Sequence, residues 1–191
     1  VYEVLVALKG RLFALAEHLE RFDRSLAAVH IAAPLDAAAW RAVLERLVAE
    51  NGGGDHSVYL QVTRGVAERD HAFPVNVVPT VFAMCRPLTR REGLDRVDAV
   101  TLTDNRWLRC DIKSTALLAN LLLRNQALAA GAYEAVLLRD GEVTEGSSSN
   151  VFVVKDGRVW TPPLSHLILP GVTRALLLDV LEGCGIEVAE A

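Results

Sequence analysis

Lysine is scarce in this chain, which has three lysines among its 20 basic residues. Lys9 and Lys155 each stand in a turn signal of the kind found in hairpins. Lys113 instead lies where a strand pattern gives way to a long apolar helical pattern, beside Ile112 and Trp107. Burial at such a junction lowers the pKa of an ammonium group and provides a nucleophilic amine near neutral pH. The alternative interpretation is a surface lysine whose stem lies along the protein.

A second group of chemically capable residues occupies the segment 144–150, which contains Glu145, Gly146 and three consecutive serines. Hydroxyls and unpaired backbone N–H groups in such a segment suit an anionic ligand. Taken alone, Glu145 is also compatible with a solvated hairpin residue. The segment 169–174 is a third candidate, because Gly171 precedes a helical pattern whose first N–H groups could bind a phosphate.

Three of these stretches, at 106–115, 145–152 and 169–174, resemble the class IV pyridoxal-phosphate aminotransferases, and within them the D-amino-acid aminotransferases. The resemblance extends from Val1 to Ala191 and keeps the order of the family's motifs. Subunits of the family are longer at both ends, so the resemblance implies that this chain is incomplete. A start in a strand pattern and an end shortly after another strand pattern favour the same interpretation.

The hydrophobic periodicity predicts an α+β fold with two mixed α/β domains, as the family's fold type IV implies. Helices are predicted at 17–31, after Asp36 as N-cap, at 115–130 and at 172–184, the last closed by Gly185. The charged, turn-rich segment 87–96 is interpreted as a hinge. We therefore expect a smaller N-terminal domain at 1–90 and a larger cofactor-binding domain at 91–191.

Composition excludes several other classes of function. The net charge of −4 and the interspersed acids and bases argue against a nucleic-acid-binding protein. Three cysteines that are far apart, with no metal-ligand spacing, predict no metal site and a reduced, cytoplasmic setting. The most apolar stretch, at 115–123, is interrupted by Asn120, so no membrane span is expected.

The resemblance implies pyridoxal 5'-phosphate as cofactor and assigns it a set of residues. Lys113 matches the Schiff-base lysine, which also moves the proton at the substrate α-carbon. Glu145 matches the carboxylate that keeps the pyridine nitrogen protonated. The residues implied for the phosphate and the rest of the cofactor are Arg21, Ser148, Val172 and Thr173. From periodicity alone, Arg21 lies off the apolar stripe of its helix and would be exposed.

The resemblance also implies how a substrate is held. Arg69 and His71 resemble the family's R-x-H pair, which binds the substrate α-carboxylate on a loop that reaches over from the partner subunit of a homodimer. Tyr2 matches the hydroxyl that completes this site, and Ser149 is a further substrate contact. A solvated loop and a core tyrosine are the alternative interpretations of these residues.

The activity implied is ping-pong transamination between a D-amino acid, of the D-alanine or D-glutamate type, and a 2-oxo acid. An L-branched-chain aminotransferase and then an aminodeoxychorismate lyase-like enzyme are the alternatives within the fold. A non-catalytic scaffold is the alternative outside it. The first two are expected to lack the pair Arg69 and His71, and the scaffold is expected to lack Lys113 or Glu145.

Overall fold

The computed structural model describes residues 1–89 and 96–191, and the chain divides into two compact units. The first unit comprises Val1–Arg90 and Ile112–Thr115, and the second comprises Arg91–Asp111 and Ala116–Ala191. The segment that carries Lys113 is therefore grouped with the N-terminal part of the chain. Most of the predicted hinge, at 90–95, lies outside the described residues. The assignment of 1–90 and 91–191 as two functional domains stays a prediction.

The first unit is a four-stranded antiparallel sheet with two helices. Its elements are β1 (Tyr2–Leu8), β2 (Arg11–Leu12), α1 (Leu15–Ala28), α2 (Ala37–Glu50), β3 (His56–Thr63) and β4 (Thr80–Pro87). The strand order is β2-β1-β3-β4. Strands β1 and β3 alternate between buried and partly exposed residues, as expected for a sheet with one covered face.

The core of this unit forms where the apolar stripe of α1 meets α2. Phe22 and Trp40, both fully buried, pack edge to face with ring centroids 5.7 Å apart. Asp36 is the N-cap of α2, as predicted, since its Oδ1 accepts a hydrogen bond from the Ala39 N–H at 2.8 Å.

The second unit contains two three-stranded mixed sheets and two helices. Its elements are β5 (Ala99–Thr103), α3 (Leu118–Ala129), β6 (Glu134–Arg139), β7 (Glu142–Gly146), β8 (Val153–Lys155), β9 (Arg158–Thr161), α4 (Val172–Gly183) and β10 (Val188–Glu190). The strand orders are β5-β6-β7 and β10-β9-β8, and each sheet has one parallel and one antiparallel pair. These mixed sheets confirm the α+β prediction.

Two predictions about this region were wrong in detail. Helix α3 begins at Leu118 and not at residue 115, since Ile112–Thr115 belongs to the first unit, in which Lys113 N donates to Ser25 Oγ. Strand β7 was missed, because Val143 is its single apolar residue and the segment shows no alternation of apolar and polar residues. Within the described residues, no helix is long and apolar enough to span a membrane.

Candidate active site

Lys113 lies against β1 and α1 within the first unit. Its backbone carbonyl accepts a hydrogen bond from Tyr2 N at 3.0 Å, and its N–H donates to Ser25 Oγ at 3.2 Å. The side chain is half-buried, and Nζ lies 4.4 Å from the centroid of the Tyr2 ring. The structure therefore brings together two predicted site residues, the catalytic lysine and a substrate-binding tyrosine, that are 111 positions apart in the sequence.

Tyr2 is held in a fixed orientation by its neighbour on β3. Its ring stacks on that of Tyr59, with centroids 5.7 Å apart and an interplanar angle of 22°. Burial raises the pKa of the Tyr2 hydroxyl, and the proximity of Tyr59 and Glu3 raises it further. The hydroxyl is thus a neutral hydrogen-bond donor across the physiological range.

Arg21 is buried, with 5% of its surface exposed, and so differs from the exposed position that periodicity predicted. The reason is Glu3, a fully buried carboxylate on the inward face of β1. Arg21 donates from Nε to Oε1 and from Nη2 to Oε2 of Glu3, both at 2.7 Å. His18 Nδ1 lies 2.8 Å from the same Oε2. A two-point contact of this kind fixes the plane of the guanidinium group.

Glu3 is a functional candidate that the sequence analysis missed. Burial by itself raises the pKa of Glu3, but hydrogen bonds from Arg21 and His18 outweigh it and hold the pKa below its usual value. The carboxylate therefore stays charged in the core. A glutamate at an inward position of an alternating strand is the sequence signal that could have revealed it.

Arg69 and His71 lie on the exposed loop 64–79 between β3 and β4. The His71 N–H donates to Oδ1 of Asp70 at 2.6 Å. Among the described residues, no hydrogen bond or ion pair joins either side chain to Tyr2, so the structure does not assemble this part of the predicted site. Their role in binding the substrate stays a prediction.

In the second unit, Glu145 is a buried residue of β7 and not a solvated hairpin residue. Its Oε1 accepts a hydrogen bond from Arg106 Nη1. Its Oε2 accepts from the Leu169 N–H at 2.9 Å and from Asn150 Nδ2 at 3.2 Å. These contacts hold the carboxylate in one position with both oxygens oriented.

Arg106 joins Glu145 to a second buried acid. Its Nε and Nη2 donate to Oδ1 and Oδ2 of Asp104, both at 2.9 Å. Asp104 also accepts from Thr144 Oγ1 at 2.9 Å and lies 3.2 Å from Arg139 Nη2. Asp104, Glu145, Arg106 and Arg139 thus form a cluster in which two arginines lie beside two carboxylates. Sequence reasoning missed Asp104, and it saw Arg106 only as the start of the Lys113 motif.

The two acids of this cluster differ in pKa. Burial raises the pKa of Glu145, and the hydrogen bond from Arg106 only partly opposes this. Burial also disfavours ionised Asp104, but the contacts from Arg106 outweigh burial and lower the pKa of Asp104 to about 2. Arg106 therefore offsets the burial of Asp104 fully and that of Glu145 only in part. A further positive charge beside Glu145, such as a protonated nitrogen, would stabilise its ionised form.

The serines after β7 converge on Glu134. Ser147 Oγ donates to its Oε1, and Ser148 and Ser149 donate to its Oε2 at 3.2 and 3.0 Å. Sequence reasoning missed Glu134, the first residue of strand β6, which is apolar only from Ala135 to Leu138. The predicted contacts of Ser148 with the cofactor and of Ser149 with the substrate stay predictions.

Helix α4 begins at Val172, after Gly171 as N-cap, and no side chain of the described residues caps its first turn. Val172 is buried and Thr173 is exposed. A Cβ atom at Gly171 would lie 2.0 Å from Asn150 Oδ1, while Asn150 Nδ2 donates to the Leu169 carbonyl at 3.0 Å. Asn150 thus connects the start of α4 with the carboxylate of Glu145, two predicted cofactor-binding groups of the same unit.

A family model described as amino-transferase class IV matches residues 1–191. The chain belongs to this family. It is 44% identical to D-alanine aminotransferase from Listeria innocua and 43% identical to the enzyme of that name from Bacillus licheniformis. Each match covers 100% of this chain and 68% of the relative. The solved branched-chain aminotransferase from Thermoproteus uzoniensis matches with 26% identity and a TM-score of 0.87, over 100% of this chain and 67% of that one.

Class IV aminotransferases use pyridoxal phosphate, and the donor set of this chain fits that cofactor. The first unit offers an amine at Lys113 and a buried, oriented guanidinium at Arg21. The second offers a buried carboxylate whose pKa is raised and a helix start without a side-chain cap. These are the groups that an aldehyde, a pyridine nitrogen and a phosphate require.

Proposed function

We propose that this protein is a D-amino-acid transaminase, which moves the amino group of a D-amino acid to a 2-oxo acid. The observation that carries the proposal is the match of the whole chain to D-alanine aminotransferases at 43–44% identity. Amino acids of the D-alanine or D-glutamate type, with pyruvate or 2-oxoglutarate, are the proposed substrates. The two half-reactions alternate in a ping-pong cycle, so a single substrate site serves both.

Pyridoxal phosphate, when bound, carries the amino group and accepts the electron pair left on the substrate α-carbon. Lys113 Nζ would hold the cofactor through its aldehyde and, when free, would accept the proton from the substrate α-carbon and deliver it to the cofactor. Contact with Tyr2 at 4.4 Å orients this amine. A freely rotating lysine side chain would sample many positions. Holding the amine in one position lowers the entropic cost of bringing it to the α-proton.

Glu145 would keep the cofactor's ring nitrogen protonated. Its buried position supports this role, because a buried carboxylate whose burial Arg106 only partly offsets is stabilised by a positive charge on a neighbouring nitrogen, and stabilises that charge in turn. Arg21 and the N–H groups of Val172 and Thr173 would hold the phosphate, and Ser148 would add a hydroxyl. Arg21 is prepared for this by Glu3, which fixes the plane of the guanidinium.

Arg69 and His71 hold the substrate α-carboxylate, with the neutral hydroxyl of Tyr2 and Ser149 as further contacts. A guanidinium and an imidazole together bind a carboxylate with direction as well as charge. If the anion is held on one side of the cofactor, that side is closed to the side chain of an L-amino acid. The handedness of the substrate then follows from the position of this loop.

An L-branched-chain aminotransferase is the second candidate, favoured by the structural match to the Thermoproteus uzoniensis enzyme. The two candidates differ in the predicted role of Arg69 and His71.

We further propose a homodimer whose substrate loop is shared across subunits, a smaller domain at 1–90 and a cofactor-binding domain at 91–191. A cytoplasmic location is proposed from the three free cysteines.

Steady-state kinetics of the full-length protein with D- and L-alanine, each with 2-oxoglutarate, test the proposal. We expect turnover with D-alanine and a much lower kcat/KM with L-alanine. Arg69→Ala should raise the KM for D-alanine and leave cofactor binding unchanged, with Arg41→Ala on the exposed face of α2 as the control. Preference of the wild type for L-leucine or L-valine would replace the proposal with the branched-chain candidate.

A further inference from the structure

The loop 64–79, which carries Arg69 and His71, is closed at its base by a backbone contact. Gly65 has a φ of +114°, a conformation that residues with a side chain rarely adopt. A Cβ atom at Gly65 would lie 2.2 Å from the carbonyl oxygen of Val78 and 2.4 Å from Cγ1 of Val77. The two ends of the loop therefore touch, and only glycine fits between them.

Arg64, the first residue of this loop, is tied to the end of α1. Its Nη1 donates to the His30 carbonyl at 2.8 Å and its Nη2 donates to the Val29 carbonyl. Val29 is the C-cap of α1, so its carbonyl is one of those at a helix end that lack a partner within the helix, and a cation there interacts favourably with the helix dipole. His30 itself has a φ of +54°, so the chain turns sharply at the point where Arg64 binds it.

Phe73 rests on the guanidinium group that is held in this way. Its ring centroid lies 3.8 Å from Arg64 Cζ and 6.1 Å from the centroid of the His30 ring. Because 60% of Phe73 remains exposed, burial in a core does not account for its position. A cation over an aromatic ring contributes binding free energy even at an exposed site.

We propose that Arg64 and Phe73 form a clasp that orders the loop before substrate binds, and that both are positioning residues for Arg69 and His71. This rests on the proposed function, in which the latter pair holds the substrate carboxylate. His71 is two residues from Phe73, and Arg69 is five residues from Arg64, so both lie between the two halves of the clasp. A loop that is ordered in advance loses less conformational entropy on binding, which strengthens binding without a new contact to the substrate.

The first test is kinetic, on the full-length protein with pyridoxal phosphate bound. Phe73→Ala should raise the KM for D-alanine about threefold to tenfold and leave kcat within about twofold. Phe73→Tyr keeps the ring and should restore the wild-type KM. Phe13→Ala is the matched control, because Phe13 is 53% exposed in the same unit and lies outside the loop. It should leave the KM unchanged.

The second test is hydrogen exchange of the backbone amides at 66–72, without substrate. Phe73→Ala and Arg64→Lys should both accelerate exchange there, since an ammonium group lacks the planar face that stacks on the ring and the rigid fork that holds both carbonyls at once. Phe13→Ala should not. Exchange and KM in Phe73→Ala that equal those of Phe13→Ala would overturn the clasp. Absence of D-alanine turnover in the wild type would instead refute the proposed function, and the exchange rates would still decide whether the clasp orders the loop.

Discussion

Gly171 and Asn150 fit against each other without room for one more carbon atom. A Cβ atom on Gly171 would lie 2.0 Å from Asn150 Oδ1, and the φ of Gly171, −66°, is one that any residue adopts. The need for glycine at this position is therefore steric and not conformational. Asn150 also donates to Oε2 of Glu145, so this contact sets the start of α4 relative to the buried carboxylate.

Gly171→Ala should disturb this arrangement and weaken the binding of pyridoxal phosphate about tenfold, because overpacking a fitted contact typically costs about 1–3 kcal/mol. The dissociation constant can be measured by fluorescence titration of the apoprotein. Gly183→Ala, at the other end of the same helix, is the control, since a Cβ atom there meets no atom of the described residues within 4 Å. Equal affinities for the two variants would contradict the prediction.

Arg106→Gln should destabilise the protein by about 3–5 kcal/mol, because it leaves Asp104 and Glu145 buried without their shared cation. Urea denaturation measures this free energy of unfolding. Arg109→Gln provides a closely matched control, as Arg109 makes two hydrogen bonds to Asp111 but is exposed. It should change stability little. A similar loss in both variants would show that the buried cluster has no special role.

Acid should selectively weaken the contribution of Asp104 to the free energy of unfolding. Its pKa is about 2 in the folded protein against an ordinary value of 3.8, so the folded state binds the proton less tightly than the unfolded chain. Its stabilisation, about 2 kcal/mol by linkage, is complete above about pH 4 and is lost as the pH falls to about 2. The difference in unfolding free energy between wild type and Asp104→Asn should therefore shrink over this range. If the difference in unfolding free energy between the two proteins did not change with pH, the lowered pKa of Asp104 would be contradicted.

Lys113→Ala should abolish transamination, because it removes the amine that we propose binds the cofactor and moves the α-proton. The variant should also form no covalent adduct with pyridoxal phosphate on borohydride reduction, as measured by mass spectrometry. Lys155→Ala, at an exposed hairpin, should keep both properties. An adduct that persists in Lys113→Ala would assign the role to another amine.

Glu3→Gln should weaken the binding of pyridoxal phosphate about tenfold but leave that of pyridoxal, which lacks the phosphate, nearly unchanged. The amide keeps the shape of the carboxylate but loses the charge that fixes Arg21. Titration of the apoprotein with both compounds separates the phosphate contact from a general loss of structure. Glu50→Gln, at an exposed pair with Arg46, is the control. Parallel losses for both compounds would indicate a purely structural role for Glu3.

The features that the sequence determined by itself are local. The turn at Asp156 and Gly157 has φ values of +52° and +77°, the left-handed pair that this dipeptide favours in hairpins. Asp36 caps α2, and Gly185 follows α4 with a φ of +70°, as predicted. Each depends on a few neighbouring residues, whose backbone preferences hold wherever the segment lies. The motif around Lys113 could also be recognised from the sequence, because its residues are close together in the chain.

Only the tertiary structure decided which charges are buried and what they contact. Arg21 appeared exposed by helical periodicity but pairs with Glu3, 18 positions away, and Arg106 reaches Glu145 over 39 positions. The cost of burying one charge depends on whether the fold brings an opposite charge to it. That cost is a property of contacts between distant segments, which neither periodicity nor local motifs contain. The clasp could not be predicted from the sequence for the same reason. Phe73 lies in a polar loop of the sequence, and its contact with Arg64, which itself binds at the end of α1, forms only in the folded protein.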